Sequence, residues 1–128
     1  RVLLLDADLR RPTLADHAGL DGTVGLSTVL IGDATVEEVA QPWGASNLHV
    51  LPAGQIPSNP SELLDSPAMA DLLLEARRAY DVVLLDSAPL LPVTDADVVS
   101  RHTGGALRVG GLHKKRRPQL AAAVRTLE

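Results

Sequence analysis

Three aspartates follow apolar segments of the chain in a pattern that could do chemistry. Asp6 and Asp8 come directly after residues 2–5, and Asp86 follows residues 82–85. Segments this apolar are typical of buried parallel strands, and parallel sheets bind ligands at the carboxyl ends of their strands. Residues two apart in an extended chain point the same way, about 7 Å apart, so Asp6 and Asp8 can face one ligand together. Such carboxylates suit Mg²⁺ whose remaining coordination positions are filled by phosphate and water, and they therefore predict a magnesium–phosphate site. Alternatively, these aspartates cap turns, as aspartates at strand ends often do.

The elements that must position these aspartates are predicted from the remaining pattern. Another apolar segment lies at 48–51, and a weaker strand candidate with an arginine and glycines lies at 105–112. The clearest helix opens at Ser66 and Pro67, with an apolar stripe at helical spacing. The stripe consists of Met69, Leu72, Leu73, Ala76 and Tyr80. Shorter helices are predicted at 25–32 and 35–40, after the Asn59 cap, over 95–101 after Thr94, and from Pro118. Strands that alternate with helices predict an α/β fold, a parallel sheet of three or four strands with flanking helices.

Composition narrows the function classes. The chain has 128 residues, which suits one domain, and no cysteine, which excludes thiolate zinc sites and cysteine nucleophiles. Aromatic residues make up 2%, too few for a surface that stacks RNA bases. Residues 1–100 carry 15 acidic and 5 basic side chains, whereas residues 101–128 carry 7 basic and 1 acidic. An acidic body with a basic tail argues against a nucleic-acid partner.

Several segments together resemble one family. Residues 2–12, VLLLDADLRRP, are similar to the second Walker motif of bacterial tyrosine autokinases of the capsular and exopolysaccharide type. Gly25-Leu26-Ser27, LPAG at 51–54, NPSELL at 59–64, YDVVLLDSAP at 80–89 and VTDA at 93–96 match further segments of that family in order. The resemblance covers residues 1 to about 107.

The resemblance implies a deviant P-loop α/β fold and transfer of the γ-phosphoryl group of ATP to tyrosine. Asp86 would hold Mg²⁺ and Asp8 would help to position it, while Asp6 would be the base; the roles of Asp6 and Asp8 could be reversed. Arg10 and Arg11 would contact phosphate or a neighbouring subunit, or remain solvated. The implied partners are ATP–Mg²⁺, a membrane chain-length regulator and further copies of the protein. The implied location is cytoplasmic, at the inner face of the plasma membrane.

The sequence departs from the family in two places. The phosphate-binding motif G-x-x-x-x-G-K-[ST] is absent, and in the family it lies one βα unit upstream of the first aspartate pair. We therefore expect residues 1–128 to be the C-terminal part of an autokinase domain, inactive as an isolated chain, with ATP and Mg²⁺ bound only together with that upstream segment. Residues 113–128 are expected to form a basic loop and a terminal helix in place of the family's tyrosine-rich tail. Tyr80 is the only tyrosine, and its position on the apolar stripe predicts a core residue.

Two other functions remain open at this level. A non-catalytic remnant would keep the fold and bind a membrane chain-length regulator of polysaccharide synthesis. A partition-type ATPase, similar to septum-site proteins, would share the superfamily, although Arg10, Arg11 and the NPSELL segment favour the kinase branch. Without a neighbouring strand and helix, the sheet is expected to expose an edge and apolar surface that promote self-association.

Overall fold

The computed structural model describes residues 1–44 and 47–87. The strand candidate at 105–112, the helices predicted at 95–101 and from Pro118, and the basic segment at 113–128 lie outside the described residues.

A four-stranded sheet organises the described part of the chain. Its strands are β1 (Val2–Ala7), β2 (Gln41–Pro42), β3 (Leu48–Leu51) and β4 (Val82–Ser87), in the spatial order β2-β3-β1-β4. The predicted strands β1, β3 and β4 are parallel, with β1 between the other two. The sequence analysis missed β2, which pairs antiparallel with β3 and makes the sheet mixed at this edge. Only two residues form this strand, and one is a proline without an N–H group, so no strand-length pattern marked it.

Five helices lie between the strands in the described part of the chain. They are α1 (Leu14–Ala18), α2 (Leu26–Leu30), α3 (Val36–Val39), α4 (Pro60–Leu64) and α5 (Pro67–Ala79). The Ser66 side chain caps α5 by accepting a hydrogen bond from the Met69 N–H at 3.3 Å, and Pro67 occupies the first turn, as predicted. Helix α1 was not predicted: it spans five residues, buries none of them and ends at Gly19 in the left-handed conformation (φ 69°). A helix this short has no apolar stripe to read.

The core lies on one face of the sheet. Leu3 and Leu5 of β1 are fully buried there, and Met69, Leu72, Leu73 and Ala76 of α5 pack in the same cluster. Tyr80 is 8% exposed and belongs to this cluster, which confirms the predicted core position. Its ring meets the His49 ring edge-on, with centroids 5.6 Å apart.

Strand β4 is less buried than its apolar sequence predicts. Val83 and Leu85 pack against the core, whereas Val82 is 47% exposed and Leu84 is 52% exposed. Parallel sheets are normally covered on both faces. The apolar surface expected from the sequence is therefore present on the outer face of β4, the last strand in the order of the described sheet.

Candidate active site

The predicted carboxylates meet at one edge of the sheet. Strands β1 and β4 run in parallel with Asp6 opposite Asp86, and Asp8 follows one residue after β1 ends. The charges of Asp8 and Asp86 both act on Asp6 and contribute to raising its pKa. The grouping expected from parallel strand ends is therefore present.

Asp6 is the most deeply buried of the three carboxylates and is held by backbone hydrogen bonds. Its side chain is 1% exposed; Oδ1 accepts a hydrogen bond from the Asp8 N–H at 3.0 Å and Oδ2 accepts one from the Leu14 N–H at 3.2 Å. Burial raises the pKa of Asp6, these two hydrogen bonds oppose the rise, and the neighbouring carboxylates add to it. Asp6 thus ties the end of β1 to the start of α1 and keeps lone pairs for a further donor.

Asp8 organises the turn that follows. Its Oδ1 accepts the backbone N–H groups of Arg10 at 3.3 Å and Arg11 at 3.0 Å. The turn-capping alternative is therefore correct for Asp8 Oδ1, and also for Asp6, whose Oδ1 accepts the N–H group two residues on. The described residues place no hydrogen-bond donor on Oδ2, which leaves that oxygen for a cation.

Asp86 is the open member of the group. No described residue donates a hydrogen bond to its carboxylate, and the side chain is exposed. Partial shielding from water raises the pKa of Asp86, the charge of Asp8 raises it further, and His17 lowers it. No motif in the sequence marked His17 as a site residue. Its effect on Asp86 depends on α1, so only a prediction of that helix could have signalled it.

The two arginines differ. The Arg10 guanidinium donates to Ser61 Oγ at 3.3 Å and thereby links the turn to α4. Among the described residues, no hydrogen bond or ion pair involves the Arg11 guanidinium, and the residue is exposed. Of the pair, Arg11 has the side chain that the described residues leave available to an anion.

A tight backbone joint supports this edge of the sheet. At the start of α2, the Leu26 N–H donates to the Pro52 carbonyl at 2.7 Å, and the Ser27 N–H donates to the Ala53 carbonyl at 2.9 Å. A Cβ on Gly25 would lie 2.1 Å from the Pro52 carbonyl oxygen, so only glycine permits this approach. The motifs at 25–27 and 51–54, which the sequence analysis matched to the family without a physical role, form this joint.

The donor set fits a magnesium ion that is shared with phosphate. Within residues 1–44 and 47–87, no group of three or more His, Cys, Asp or Glu side chains is arranged to hold a metal ion. Mg²⁺ commonly takes one or two protein carboxylates and fills its remaining positions with water and substrate phosphates. Asp8 Oδ2 and the Asp86 carboxylate supply two oxygens of that kind at adjacent strand ends.

Known proteins similar to this chain include several bacterial tyrosine kinases. Tyrosine-protein kinase YwqD of Bacillus subtilis is 41% identical over 127 residues, which cover 99% of this chain and 54% of YwqD. The solved kinase domain of the Escherichia coli tyrosine kinase Etk matches with a TM-score of 0.93 and 36% identity, over 99% of this chain and 50% of the domain. The cell division ATPase MinD of Pyrococcus furiosus matches less well, with a TM-score of 0.61 and 28% identity over 77% of this chain and 41% of MinD.

These similarities test two of the predictions made from the sequence, the family resemblance and the fold class. The resemblance to bacterial tyrosine kinases and the α/β, P-loop-ATPase-like fold are both confirmed. The chain spans about half the length of YwqD and of the Etk kinase domain. No family model matches the chain.

Proposed function

The chain belongs to the family of bacterial tyrosine kinases, and on this premise we propose that it forms part of a domain that transfers the γ-phosphoryl group of ATP to tyrosine side chains. The observation that carries the proposal is the meeting of Asp8 and Asp86 at adjacent strand ends, each with carboxylate oxygen that no described donor occupies. Phosphoryl transfer depends mainly on positioning and on neutralising charge. A bound Mg²⁺ between these carboxylates and the nucleotide would supply that neutralisation.

Each site residue has a role in this proposal. Asp8 and Asp86 hold Mg²⁺, and Arg11 contacts a phosphate through its guanidinium. Arg10 positions the turn through Ser61. Asp6 accepts the tyrosine proton while the tyrosine oxygen bonds to the γ-phosphorus, and the bond from phosphorus to the β–γ bridging oxygen breaks to release ADP.

The other features of a working kinase are inferred from the family resemblance. By family resemblance, we expect the phosphate-binding loop, which residues 1–128 lack, to come from sequence upstream in the gene. The isolated chain is then expected to bind ATP weakly and to be inactive. By family resemblance, the full protein assembles with copies of itself and with a membrane chain-length regulator. Its place is then the cytoplasmic face of the plasma membrane, in polysaccharide synthesis. In the described part of the chain, no helix has both the length and the apolar character needed to span a bilayer.

A partition-type ATPase is the second candidate, favoured by the similarity to MinD. Its TM-score of 0.61 is well below the 0.93 of the Etk kinase domain. A non-catalytic remnant that binds the chain-length regulator is the third. It predicts the same fold without phosphoryl transfer.

The kinase proposal is tested in the protein expressed with its upstream coding sequence. Wild type, Asp8→Asn and Asp86→Asn are incubated with ATP and Mg²⁺, and phosphotyrosine is measured by immunoblot and mass spectrometry. We expect each variant to lose about 100-fold in rate, because a charge-neutralising contact to the metal is lost. Asp71→Asn, which removes an exposed carboxylate on α5, is the matched control and should retain full activity. Equal activity of Asp8→Asn and wild type would overturn the assignment.

A further inference from the structure

Helix α1 borders the candidate site and depends on contacts from outside the helix. It spans five residues, none of them buried, and within the described part of the chain its N-cap residue Thr13 makes no side-chain capping hydrogen bond. A helix this short is not stable by itself in water, because most helical stability in proteins comes from packing of an apolar face. Other parts of the chain must therefore hold α1 in place.

The first of these contacts comes from the candidate site. The Leu14 N–H group, at the start of α1, donates to Asp6 Oδ2 at 3.2 Å. This contact also acts in the other direction, because a helix held in place fixes the carboxylate oxygen that it binds. The same helix brings His17 near enough to Asp86 for its charge to act there. The position of α1 therefore bears on two of the three carboxylates.

The second contact comes from Trp43, at the other end of α1. The indole Nε1–H group donates to the carbonyl of Ala18, the last residue of the helix, at 2.9 Å. Carbonyl groups in the last turn of a helix have no partner within the helix, and this bond supplies one. We propose that Trp43 is a positioning residue for the kinase reaction, which holds α1 and through it the Asp6 carboxylate. The inference rests on the proposed function and adds a residue that lies outside the group of aspartates.

Trp43 is itself tied to the sheet. It follows β2 directly, and its backbone N–H group donates to the Leu48 carbonyl of β3 at 3.0 Å. Gln41, in β2, makes a similar contact, since its side-chain amide donates to the Asp21 carbonyl at 2.8 Å. Two side-chain donors of residues 41–43 thus hold the end of α1 and the segment that follows it. The sheet supplies the fixed point from which α1 is positioned.

The exposure of Trp43 fits this role better than a role in the core. The side chain is 44% exposed and is not among the core residues of the described part of the chain. Burial of the ring therefore accounts for only part of its contribution, whereas the indole N–H group has a defined acceptor. Phenylalanine would keep an aromatic ring and lack the donor. Trp43→Phe is thus the substitution that separates the hydrogen bond from the ring.

The first measurement follows α1 in the protein expressed with its upstream sequence. Hydrogen–deuterium exchange is measured by mass spectrometry for wild type, for Trp43→Phe and for the control Thr35→Ala, which removes the capping hydroxyl of α3. In Trp43→Phe, exchange in peptides that cover residues 13–18 should be about fivefold faster, because a hydrogen bond that holds the helix is lost. Exchange in α5 should stay the same, and Thr35→Ala should leave residues 13–18 unchanged. Unchanged exchange at 13–18 in Trp43→Phe, or an equal increase in α5, would overturn the inference.

The second measurement asks whether the effect reaches the chemistry. Trp43→Phe should lower kcat for a tyrosine peptide about tenfold and leave KM for ATP unchanged, because a displaced base slows proton transfer without loss of a nucleotide contact. A loss of stability alone would not confine the change to kcat and to exchange at 13–18. Thr35→Ala should alter neither kcat nor KM. Equal kcat in Trp43→Phe and wild type, or a rise in KM for ATP alone, would overturn the positioning role.

Failure of the kinase function is distinguishable from failure of this inference. If the wild type forms no phosphotyrosine, the proposed function is contradicted, and the exchange measurement still decides whether Trp43 holds α1. If the wild type is active and Trp43→Phe matches it in exchange and in kcat, the kinase proposal stands and the positioning role of Trp43 is refuted.

Discussion

The two strand ends that carry the candidate site differ in how completely the described chain builds them. At the end of β1, Asp6 is buried and both of its oxygens accept backbone hydrogen bonds. At the end of β4, Asp86 is exposed without a described hydrogen-bond donor, and Leu84 in the same strand is 52% exposed. The two residues are direct register partners, so the contrast arises across a single strand-to-strand step.

The two strand ends thus differ in whether the described chain itself supplies hydrogen-bond partners for their carboxylates. Backbone donors near in sequence satisfy Asp6 and one oxygen of Asp8, so this half is set by local folding. Asp86 and the outer face of β4 gain partners only from a ligand or from another segment. Substitutions at the two ends should therefore differ in their effect on stability even where their effect on activity is alike.

The largest expected effect on stability is at the close backbone contact between the start of α2 and the segment that follows β3. Gly25→Ala would place a Cβ 2.1 Å from the Pro52 carbonyl oxygen, and we expect a loss of about 3 kcal/mol in the free energy of unfolding, because backbone must move to relieve the overlap. Urea denaturation followed by circular dichroism measures it. Gly32→Ala is the control: its φ is +88° but nothing lies within 4 Å, so only the left-handed conformation is penalised, by about 1 kcal/mol. Equal losses in the two variants would refute the steric role of the joint.

The same substitution at Asp6 and at Asp86 tests whether the two strand ends differ in their contribution to stability. Asp6→Ala leaves the partly buried N–H groups of Asp8 and Leu14 without their acceptor and should lower the free energy of unfolding by about 2 kcal/mol. Asp86→Ala removes an exposed side chain with no described donor and should change stability by less than about 0.5 kcal/mol. Denaturation midpoints of the two variants, measured side by side, decide the matter. Similar midpoints would show that the two strand ends do not differ as described.

The pH dependence of stability should reveal both carboxylates. Because the pKa of Asp6 and that of Asp86 are raised above the ordinary value of 3.8, the folded state binds more protons than the unfolded state at pH values just above 3.8. Their contribution to stability is complete below that pH and is lost as the pH rises through the raised values. Urea midpoints at a series of pH values from 4 upward, roughly one unit apart, should therefore show a fall that is shallower in Asp86→Asn. A steeper fall in that variant would contradict the direction assigned to Asp86.

The smallest effect on stability is expected on the outer face of β4. Leu84→Ser should alter the free energy of unfolding by less than about 0.5 kcal/mol, since the side chain is already half-exposed. It should reduce self-association in sedimentation velocity, because it interrupts the exposed apolar surface of the strand. Ile31→Ser, at a side chain 61% exposed outside the sheet, is the control and should leave association unchanged. Equal reductions in the two variants would mean that β4 is not the associating surface.

Much of the fold was predictable because several strands and the longest helix carry clear local sequence patterns. The apolar segments before Asp6 and Asp86 gave the strands, and Ser66 with Pro67 gave the start of α5. Helix α1 and strand β2 were missed because each is too short for periodicity, and their positions depend on contacts distant in sequence. Trp43 illustrates such a contact, since its ring N–H donates to the Ala18 carbonyl at 2.9 Å and links the two missed elements.

The sequence predicted that the three carboxylates lie near one another, but it did not predict the contacts that hold them in place. Strand-end placement was enough to group Asp6, Asp8 and Asp86. The sequence did not reveal that Asp6 is held by the Leu14 N–H, that Arg10 is engaged by Ser61 while Arg11 is exposed, or that His17 acts on Asp86. Each of these depends on α1 or α4 being placed against the end of β1, which local pattern does not report.

The most direct test of the central claim follows the γ-phosphate of ATP in a single sample. The protein expressed with its upstream sequence is incubated with γ-labelled ATP and Mg²⁺, and label on tyrosine is quantified beside label released as free phosphate. A tyrosine kinase predicts label on tyrosine in excess of free phosphate, with both lost in Asp8→Asn. Free phosphate without labelled tyrosine would identify an ATPase instead, and label in neither product would contradict phosphoryl transfer by this site.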